Sequence, residues 1–150
     1  MKIKKQLTAL IAASTLVGTL PASAHEGQHM TPEMMLSLAR VGASSLSPDG
    51  KTIVYSVGFP NIKENKIRTE LFSIASNGTD RRQLTQGIAG LHGARWIQQG
   101  RRISYISSES GEPQVWTMAP DGTDRKQVTR IEGGLSDYLF SPDETKLAYI

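Results

Sequence analysis

Along most of this chain, apolar residues occur in short groups that alternate with polar residues, and glycine, proline, asparagine or aspartate separates the groups. Groups of this length predict β-strands, and the separating residues predict tight turns. Ile53, Val54 and Tyr55 form one such group, in which β-branched and aromatic side chains favour a strand. Two stretches depart from this pattern: an apolar run over residues 7–20, and a helical spacing that follows Thr31. Beyond these two stretches, the chain is predicted to be all-β.

Two sequence phrases recur. The first, S-P-D-G-K-T-I-V-Y at residues 47–55, returns as S-P-D-E-T-K-L-A-Y at residues 141–149. A degenerate copy, W-I-Q-Q-G-R-R-I-S-Y, occupies residues 96–105. The second phrase, L-F-S-I-A-S-N-G-T-D-R-R-Q-L-T at residues 71–85, returns as V-W-T-M-A-P-D-G-T-D-R-K-Q-V-T at residues 115–129. Matching phrases in the same order indicate an internal structural repeat.

The spacing of the phrases locates an insertion. The second phrase returns after 44 residues, and the first returns after 50 and then 44. The six additional residues lie between Tyr55 and Leu71, where the segment G-F-P-N at residues 58–61 predicts a loop. In the first phrase, Pro48 presets φ for a turn and Gly50 can adopt a positive φ. The N-G and D-G dipeptides of the second phrase are preferred in hairpin turns.

Each unit therefore predicts two hairpins, which makes four short strands. A period near 44 residues with four strands per unit is typical of a β-propeller blade. Residues 46–150 would hold about two and a third four-stranded blades, which form an incomplete propeller domain. An ordinary β-sandwich with coincidental turns is the alternative, but two long phrases that return in order at one shared spacing favour the propeller.

The beginning of the chain has the features of a secretory signal peptide. Lys2, Lys4 and Lys5 form a positive region, an apolar run follows, and small residues end at Ala24. We therefore predict a signal peptide over residues 1–24 and export across the inner membrane, to the periplasm or the exterior. The apolar run is too short to span a membrane as a helix, and no other segment is a candidate. The absence of cysteine excludes disulfides and a lipid-attachment cysteine.

Charge argues against nucleic acid as a partner. The chain has 17 lysines and arginines against 14 aspartates and glutamates. Without Lys2, Lys4 and Lys5, 14 cations balance 14 acids, so the predicted mature chain is formally neutral. The two arginine pairs, at residues 81–82 and 101–102, are interpreted as solvated turn residues rather than a phosphate site.

Residues 25–45 are predicted to form an N-terminal arm with a short helix. Thr31 is a good N-cap, Pro32 suits the first helical position and Glu33 favours the first turn. Met34 begins an apolar face that continues through Leu38 and Val41, and the helix is expected to end near Gly42 and to pack against the propeller. The segment from Gly42 to Leu46 is interpreted as the link into the first strand.

The segment H-E-G-Q-H at residues 25–29 matches the zinc-peptidase signature H-E-x-x-H. A zinc site needs both histidines on one face of a helix, yet Gly27 weakens a helix here and the predicted helix begins only after Thr31. A copper site is the second alternative, in which His25, as a new amino terminus, would bind with His29 or His92. A flexible, solvated terminus explains the segment with fewer assumptions, so whether His25, Glu26 and His29 bind metal stays open, and no metal or other cofactor is assigned.

Four further residues have competing interpretations. His92 lies between two blades, where a loop can reach a propeller's central channel, but a structural histidine is the simpler interpretation. Trp96 and Trp116 fall at strand positions and are predicted to belong to the core. Asn77 begins the glycosylation sequence N-G-T, which a hairpin turn explains fully.

The phrase M-T-P-E-M-M-L-S-L-A-R-V-G from Met30, followed by L-S-P-D-G-K-T-I-V-Y-S-V from Leu46, resembles the start of secreted bacterial dipeptidyl peptidases and acylaminoacyl peptidases. These enzymes belong to the prolyl oligopeptidase family of serine peptidases. The stretch N-I-K-E-N-K-I-R-T-E-L-F-S-I from Asn61 also resembles their first blade. The S-P-D-G and N-G-T phrases are less specific, because TolB-like propellers share them. The resemblance covers residues 30–150.

The resemblance implies a propeller of seven or eight blades, a following α/β-hydrolase domain with a Ser-Asp-His triad, and short peptides as substrates. The residues of this chain carry no G-x-S-x-G elbow, so no catalytic residue is assigned. We therefore expect an N-terminal fragment of an exported serine exopeptidase, in which this propeller portion gates the access of peptides, and for which a homodimer is one option. The alternative is a non-catalytic TolB-like periplasmic propeller that binds proteins.

Overall fold

Ten strands, one short α-helix and one 3₁₀ turn (Gln98–Gly100) are found in residues 29–150, which are the residues described in this computed structural model. The helix is α1 (Pro32–Ser37). The strands are β1 (Arg40–Leu46), β2 (Thr52–Asn61), β3 (Lys66–Ala75), β4 (Arg82–Gln83), β5 (His92–Ile97), β6 (Arg102–Ser107), β7 (Gln114–Met118), β8 (Lys126–Gln127), β9 (Tyr138–Phe140) and β10 (Leu147–Tyr149).

The strands form three separate antiparallel sheets. The first has the order β1-β2-β3-β4, the second β5-β6-β7-β8, and the third contains β9 and β10. Each sheet is a meander, because every strand pairs with its neighbour in sequence. Strand β5 contacts both β1 and β2 of the preceding sheet, so the second sheet stacks on the first near their first strands. This is the arrangement of propeller blades around a channel, and the predicted all-β partial propeller is confirmed.

Hydrogen bonds within the S-P-D-G turn explain why the first phrase recurs. The hydroxyl of Ser47 donates to Oδ1 of Asp49 at 2.6 Å and accepts from the backbone N–H of Thr52 at 2.9 Å. Gly50, with φ of 71°, closes the turn between β1 and β2. Ser141 makes the corresponding bonds to Asp143 and to the N–H of Lys146. The phrase thus encodes one turn that joins the first two strands of a blade.

The core lies between blades rather than within one. One cluster of buried side chains combines Val54 and Leu71 of the first blade with Ile103, Tyr105 and Met118 of the second. A second cluster joins the second blade to the third; its members are Ile106, Val115, Leu135 and Tyr138. Trp96 and Trp116 pack against the first cluster, as predicted. Each blade therefore depends on its neighbour for burial of its apolar surface.

The helix is shorter than the sequence predicted. Thr31 caps it as expected, since its Oγ1 accepts from the N–H of Met34 at 3.2 Å. The predicted end near Gly42 is wrong, because Leu38 is already extended and β1 begins at Arg40. Residues 42–46, predicted as a link, are part of that strand. Pairing of Arg40 with Gly58 and of later β1 residues with β2 overrides the helical spacing of the apolar residues.

The predicted loop at residues 58–61 is also wrong. Strand β2 continues to Asn61, and its last residues pair with β3, as Phe59 with Arg68 and Pro60 with Ile67. Proline is tolerated there because β1 pairs with β2 only as far as Gly58, so Pro60 lies at a free edge. The six additional residues therefore lengthen the β2–β3 hairpin. We call residues 59–68 the hairpin tip.

One of the arginine pairs also differs from its interpretation. Arg102 is the first residue of β6, and its side chain is only 17% exposed. Its guanidinium donates to the carboxylate of Asp124 at 2.8 Å and to the carbonyl oxygen of the same residue at 2.7 Å. Arg102 thus fastens the turn between β7 and β8, while Arg81, Arg82 and Arg101 are exposed as predicted.

The predicted signal peptide, residues 1–24, lies outside the described residues. Among residues 29–150, no helix has the length and hydrophobicity needed to cross a membrane.

Candidate functional site

The histidine segment at residues 25–29 falls mostly outside the described part of the chain. His25 and Glu26 lie outside it, whereas His29 is described and exposed. Within residues 29–150, no three His, Cys, Asp or Glu side chains are grouped so that they could hold a metal ion. The zinc and copper alternatives, which the sequence analysis disfavoured, are therefore left untested.

His92 lies at the start of β5, the first strand of the second blade, and its side chain is exposed. Its Nδ1 is 2.8 Å from the carbonyl oxygen of Gly90, and its Nε2 is 3.4 Å from that of Ser136. Next to it, Gly93 has φ of 65°, and the β5–β6 register shifts between His92 and Arg95. This bulge turns the start of β5, and His92 reaches the segment that leads into the third blade.

Arg95 makes the second link between these blades, and the sequence analysis did not single it out. Its Nη2 donates to Oδ1 of Asp137 at 3.0 Å, and its guanidinium lies 5.2 Å from the ring centroid of Tyr138. Both charged side chains are partly exposed, 38% for Arg95 and 55% for Asp137. His92, Arg95 and Asp137 thus bring polar side chains together where the second blade meets the third.

A groove of about 1180 Å³ opens beside the start of β5. We call it the hairpin groove, because the hairpin tip forms one side. Residues 87–92, which lead from the first blade into β5, form the other side, and Ser37, Thr69, Ser108 and Pro113 complete the lining. Phe59 and Ile67 contribute apolar surface to it, while Ile88 and Leu91 are buried in the core behind its wall.

The rim of the hairpin groove carries more positive than negative charge. Lys63, Lys66 and Arg68 line it together with a single acid, Glu64. Arg68 is engaged within the protein, because its Nε lies 3.4 Å from Oε1 of Glu70 and its guanidinium 5.6 Å from the ring centroid of Phe59. Neither lysine has a carboxylate within 4.0 Å among residues 29–150.

Glu70, a fully buried carboxylate, holds the far side of the groove in place. It accepts a hydrogen bond of 2.8 Å from the hydroxyl of Thr85 and one of 2.7 Å from the N–H of Gly87. Gly87 lines the groove, so this buried side chain ties the connecting segment to β3. A pattern in the sequence could have identified Glu70. In both blades an acid or amide, Glu70 or Gln114, lies 15 residues before the threonine of a Q-x-T segment.

The geometry of the hairpin groove is suited to binding a ligand. The hairpin groove combines apolar surface, two lysines without carboxylate partners and an outlet towards the first strands of the blades. Among residues 29–150, no serine hydroxyl donates to a histidine nitrogen. Such a surface fits a polypeptide segment that carries apolar and negative groups.

Two curated proteins resemble the chain over 98% of its length. It is 42% identical to dipeptidyl-peptidase 5 of Porphyromonas endodontalis and 43% identical to dipeptidyl-peptidase 5 of Porphyromonas gingivalis. The chain spans only 23% and 22% of the length of these relatives. No family model matches the chain.

Two solved structures show the same fold. TolB from Acinetobacter baumannii matches with a TM-score of 0.59 and 22% identity, covering 72% of this chain and 26% of TolB. The β-propeller domain of the Trilobed protease from Pyrococcus furiosus matches with a TM-score of 0.57 and 16% identity, covering 76% of this chain and 34% of that domain. The fold is therefore that of TolB-like and protease β-propeller blades. The predicted resemblance to bacterial dipeptidyl peptidases is confirmed. This chain is a homologue of the dipeptidyl-peptidase 5 proteins and corresponds to less than a quarter of their length.

Proposed function

We propose that this chain is the first part of the propeller of an exported serine exopeptidase that removes dipeptides from short peptides. The identity of 42–43% with dipeptidyl-peptidase 5, sustained over 98% of the chain, is the observation that carries the proposal. The residues that cleave the peptide would belong to a hydrolase domain in the remaining three quarters of the full-length protein. The chemistry would be acyl transfer to an activated serine.

The described blades would serve this activity by controlling access. A propeller that stands over a hydrolase site admits only chains narrow enough to pass its channel or its side openings. In this protein His92, Arg95 and Asp137 would lie on the channel wall, and the hairpin groove opens beside His92. These residues would bind and orient the peptide, while the buried clusters between blades keep the wall rigid.

A measurement on the native protein tests the proposal. The protein is captured from the envelope fraction of its source with an antibody against the β3–β4 hairpin, and its intact mass is measured. It is then treated with a fluorophosphonate probe, which labels activated serines, and is assayed with a fluorogenic dipeptide amide. We expect a mass several times that of this chain, one labelled serine, and release of the fluorophore that the probe abolishes.

The same measurement can overturn the proposal. A protein without a labelled serine and without peptidase activity would refute it and favour a TolB-like propeller that binds other proteins, which the fold match to TolB supports. Export is tested by sequencing the amino terminus of the captured protein. The proposal expects His25 as the first residue, whereas a terminus at Met1 would contradict export.

A further inference from the structure

We infer that the hairpin groove binds an acidic segment of a peptide substrate, with apolar side chains in the groove and carboxylates against Lys63 and Lys66. This inference rests on the proposed function, because it names the class of peptide that such an exopeptidase would prefer. It is carried by three features of the structure: the shape of the hairpin tip, the distribution of charge along the groove, and the position of the groove at the start of β5.

Of the two complete blades, only the first has a hairpin tip. In the second blade, β6 ends at Ser107 and β7 begins at Gln114, and the hairpin has no extension. In the first blade the corresponding strands continue through four more pairs, from Gly58 with Thr69 up to Asn61 with Lys66. The repeat acts as an internal reference: a blade does not need this extension in order to fold.

The free edge of the hairpin tip is poorly suited to pairing with another strand. Beyond Gly58, β2 has no partner on the side of β1, but Pro60 offers no N–H there for another strand. Pairing with a strand from a second copy is therefore disfavoured, as charged and proline residues at edges usually ensure. Ile62 and Ile67, 54% and 63% exposed, leave apolar surface on the tip.

The charges select the chemistry of the ligand. Arg68 is already engaged by Glu70 and Phe59, so it contributes structure to the groove. Lys63 and Lys66 have exposed side chains and no carboxylate within 4.0 Å in the described part of the chain. With Glu64 as the only acid of the lining, the groove attracts negative groups.

The volume and position of the groove suit a peptide. Its volume of about 1180 Å³ exceeds the roughly 300–1,000 Å³ of typical small-ligand pockets, so a peptide segment of a few residues fits. His92 belongs both to the lining of the groove and to the first strand of its blade. A peptide held in the groove would therefore continue towards the channel.

The test compares two charge-reversed variants of the full-length protein after its serine is blocked with the fluorophosphonate. K63E/K66E alters the groove. K51E/K146E is the matched control, because Lys51 and Lys146 are also exposed lysines and lie in the β1–β2 and β9–β10 turns. The probes are two fluorescein-labelled hexapeptides of alternating residues, one of glutamate and leucine and one of lysine and leucine, and the Kd is measured by fluorescence anisotropy.

We expect the unmodified protein and K51E/K146E to bind the glutamate peptide with similar Kd values and more tightly than the lysine peptide. K63E/K66E should weaken binding of the glutamate peptide about tenfold, and about 1 M salt should remove most of the difference, because such charges are screened over about 3 Å at that concentration. A K63Q/K66Q variant should give an intermediate value. Urea midpoints of all variants should agree, since both lysines are exposed.

Equal Kd values for the two peptides, or equal losses in K63E/K66E and K51E/K146E, would overturn the inference even if peptidase activity and serine labelling are present. Conversely, preference for the glutamate peptide in a protein that has neither activity nor a labelled serine would support the groove as an acidic-peptide site while the proposed exopeptidase function fails.

Discussion

The carboxylate of Glu70 accepts a hydrogen bond of 2.8 Å from the hydroxyl of Thr85, and both side chains are buried. The same relationship recurs one blade later, where Oε1 of Gln114 accepts from the hydroxyl of Thr129 at 2.7 Å. Each threonine also accepts from a backbone N–H of the neighbouring strand, that of Leu71 in the first blade. A hydrogen-bonded polar pair thus fixes the end of each of the two complete blades. The residue that accepts from the threonine can be an acid, as Glu70, or an amide, as Gln114.

The repeat predicts how substitutions of Glu70 behave. Glu70→Gln should change the free energy of unfolding by less than about 1 kcal/mol, since Gln114 occupies the equivalent place with its Oε1 bound to the N–H of Ile131 at 3.0 Å. Glu70→Ala should cost about 2–4 kcal/mol, because Thr85 and the N–H of Gly87 lose their acceptor inside the protein. Urea unfolding of both variants measures the difference. Equal losses would show that the charge of Glu70 itself is required.

The repeat is also the reason why much of the fold could be predicted from the sequence. Turns such as the one at Ser47 depend on hydrogen bonds among residues a few positions apart, so their sequence preference is local. The ends of α1 and β2 depend on distant partners. Arg40 joins a strand because Gly58 is available opposite it, and no local pattern around Arg40 reveals that.

Trp96 and Trp116 provide a matched pair for testing the contact between blades. Nε1 of Trp96 donates to the carbonyl oxygen of Ser45 in the preceding blade at 3.1 Å, whereas Nε1 of Trp116 has no acceptor among residues 29–150. Trp96→Phe should therefore lower the free energy of unfolding by about 1–2 kcal/mol, and Trp116→Phe by clearly less, because only the first loses a hydrogen bond as well as packing. A larger loss for Trp116→Phe in urea unfolding would contradict this account.

The candidate site was less accessible to sequence analysis than the fold. The blade period placed His92 between two units, and the simpler interpretation there was a structural histidine. Arg95 and Asp137 meet only through the stacking of two blades, and they lie 42 residues apart in sequence. The hairpin groove was missed because the residues around Pro60 have loop preferences, and their pairing with β3 is decided by the length of both strands.

The backbone conformation of Glu144 predicts that a glycine substitution there is less destabilising than an alanine substitution. It occupies the turn position of Gly50 in the third blade, has φ of 56°, and its carboxylate accepts from the N–H of Gln98 in the second blade at 2.7 Å. Glu144→Ala would lose this bond and keep the unfavourable φ, whereas Glu144→Gly would lose the bond and relieve the φ. Glu144→Gly should therefore be more stable than Glu144→Ala by about 1 kcal/mol in urea unfolding. The reverse order would mean that φ at this position is not strained.

The turns also predict how stability responds to acid. Hydrogen bonds lower the pKa of three exposed aspartates: the hydroxyl of Ser47 is the main cause for Asp49, that of Thr123 for Asp121, and that of Ser141 for Asp143. A pKa that is lower in the folded protein stabilises it above the unfolded value, 3.8, and this contribution is lost as the pH falls through the folded value.

A variant with asparagine at all three positions should therefore lose less stability than the unmodified protein when the pH falls from about 5 to below 3.8. Thermal unfolding across this pH range measures the two slopes. Parallel slopes would show that other carboxylates govern acid unfolding.

At alkaline pH, stability is expected to fall as the pH rises, because of two tyrosines buried between the blades. Burial raises the pKa of Tyr138 to about 12, although the nearby hydroxyl of Ser104 partly opposes this, and burial likewise raises the pKa of Tyr105 to about 12. Because both values exceed the unfolded value of 10.0, the stabilisation is complete below pH 10 and is lost as the pH rises towards 12. The phenolate absorbance of two of the four tyrosines should therefore appear only near pH 12, together with unfolding.

Tyr138→Phe separates this effect from general alkaline damage. The variant removes one late-titrating phenol and the hydrogen bond of 3.0 Å that Tyr138 donates to the carbonyl oxygen of Gly93. It should be less stable at neutral pH, yet its stability should fall less steeply between pH 10 and pH 12 than that of the unmodified protein. Absorbance and circular dichroism recorded on the same samples give both quantities. An unchanged number of late-titrating tyrosines in the variant would place Tyr138 outside the buried contact between the second and third blades.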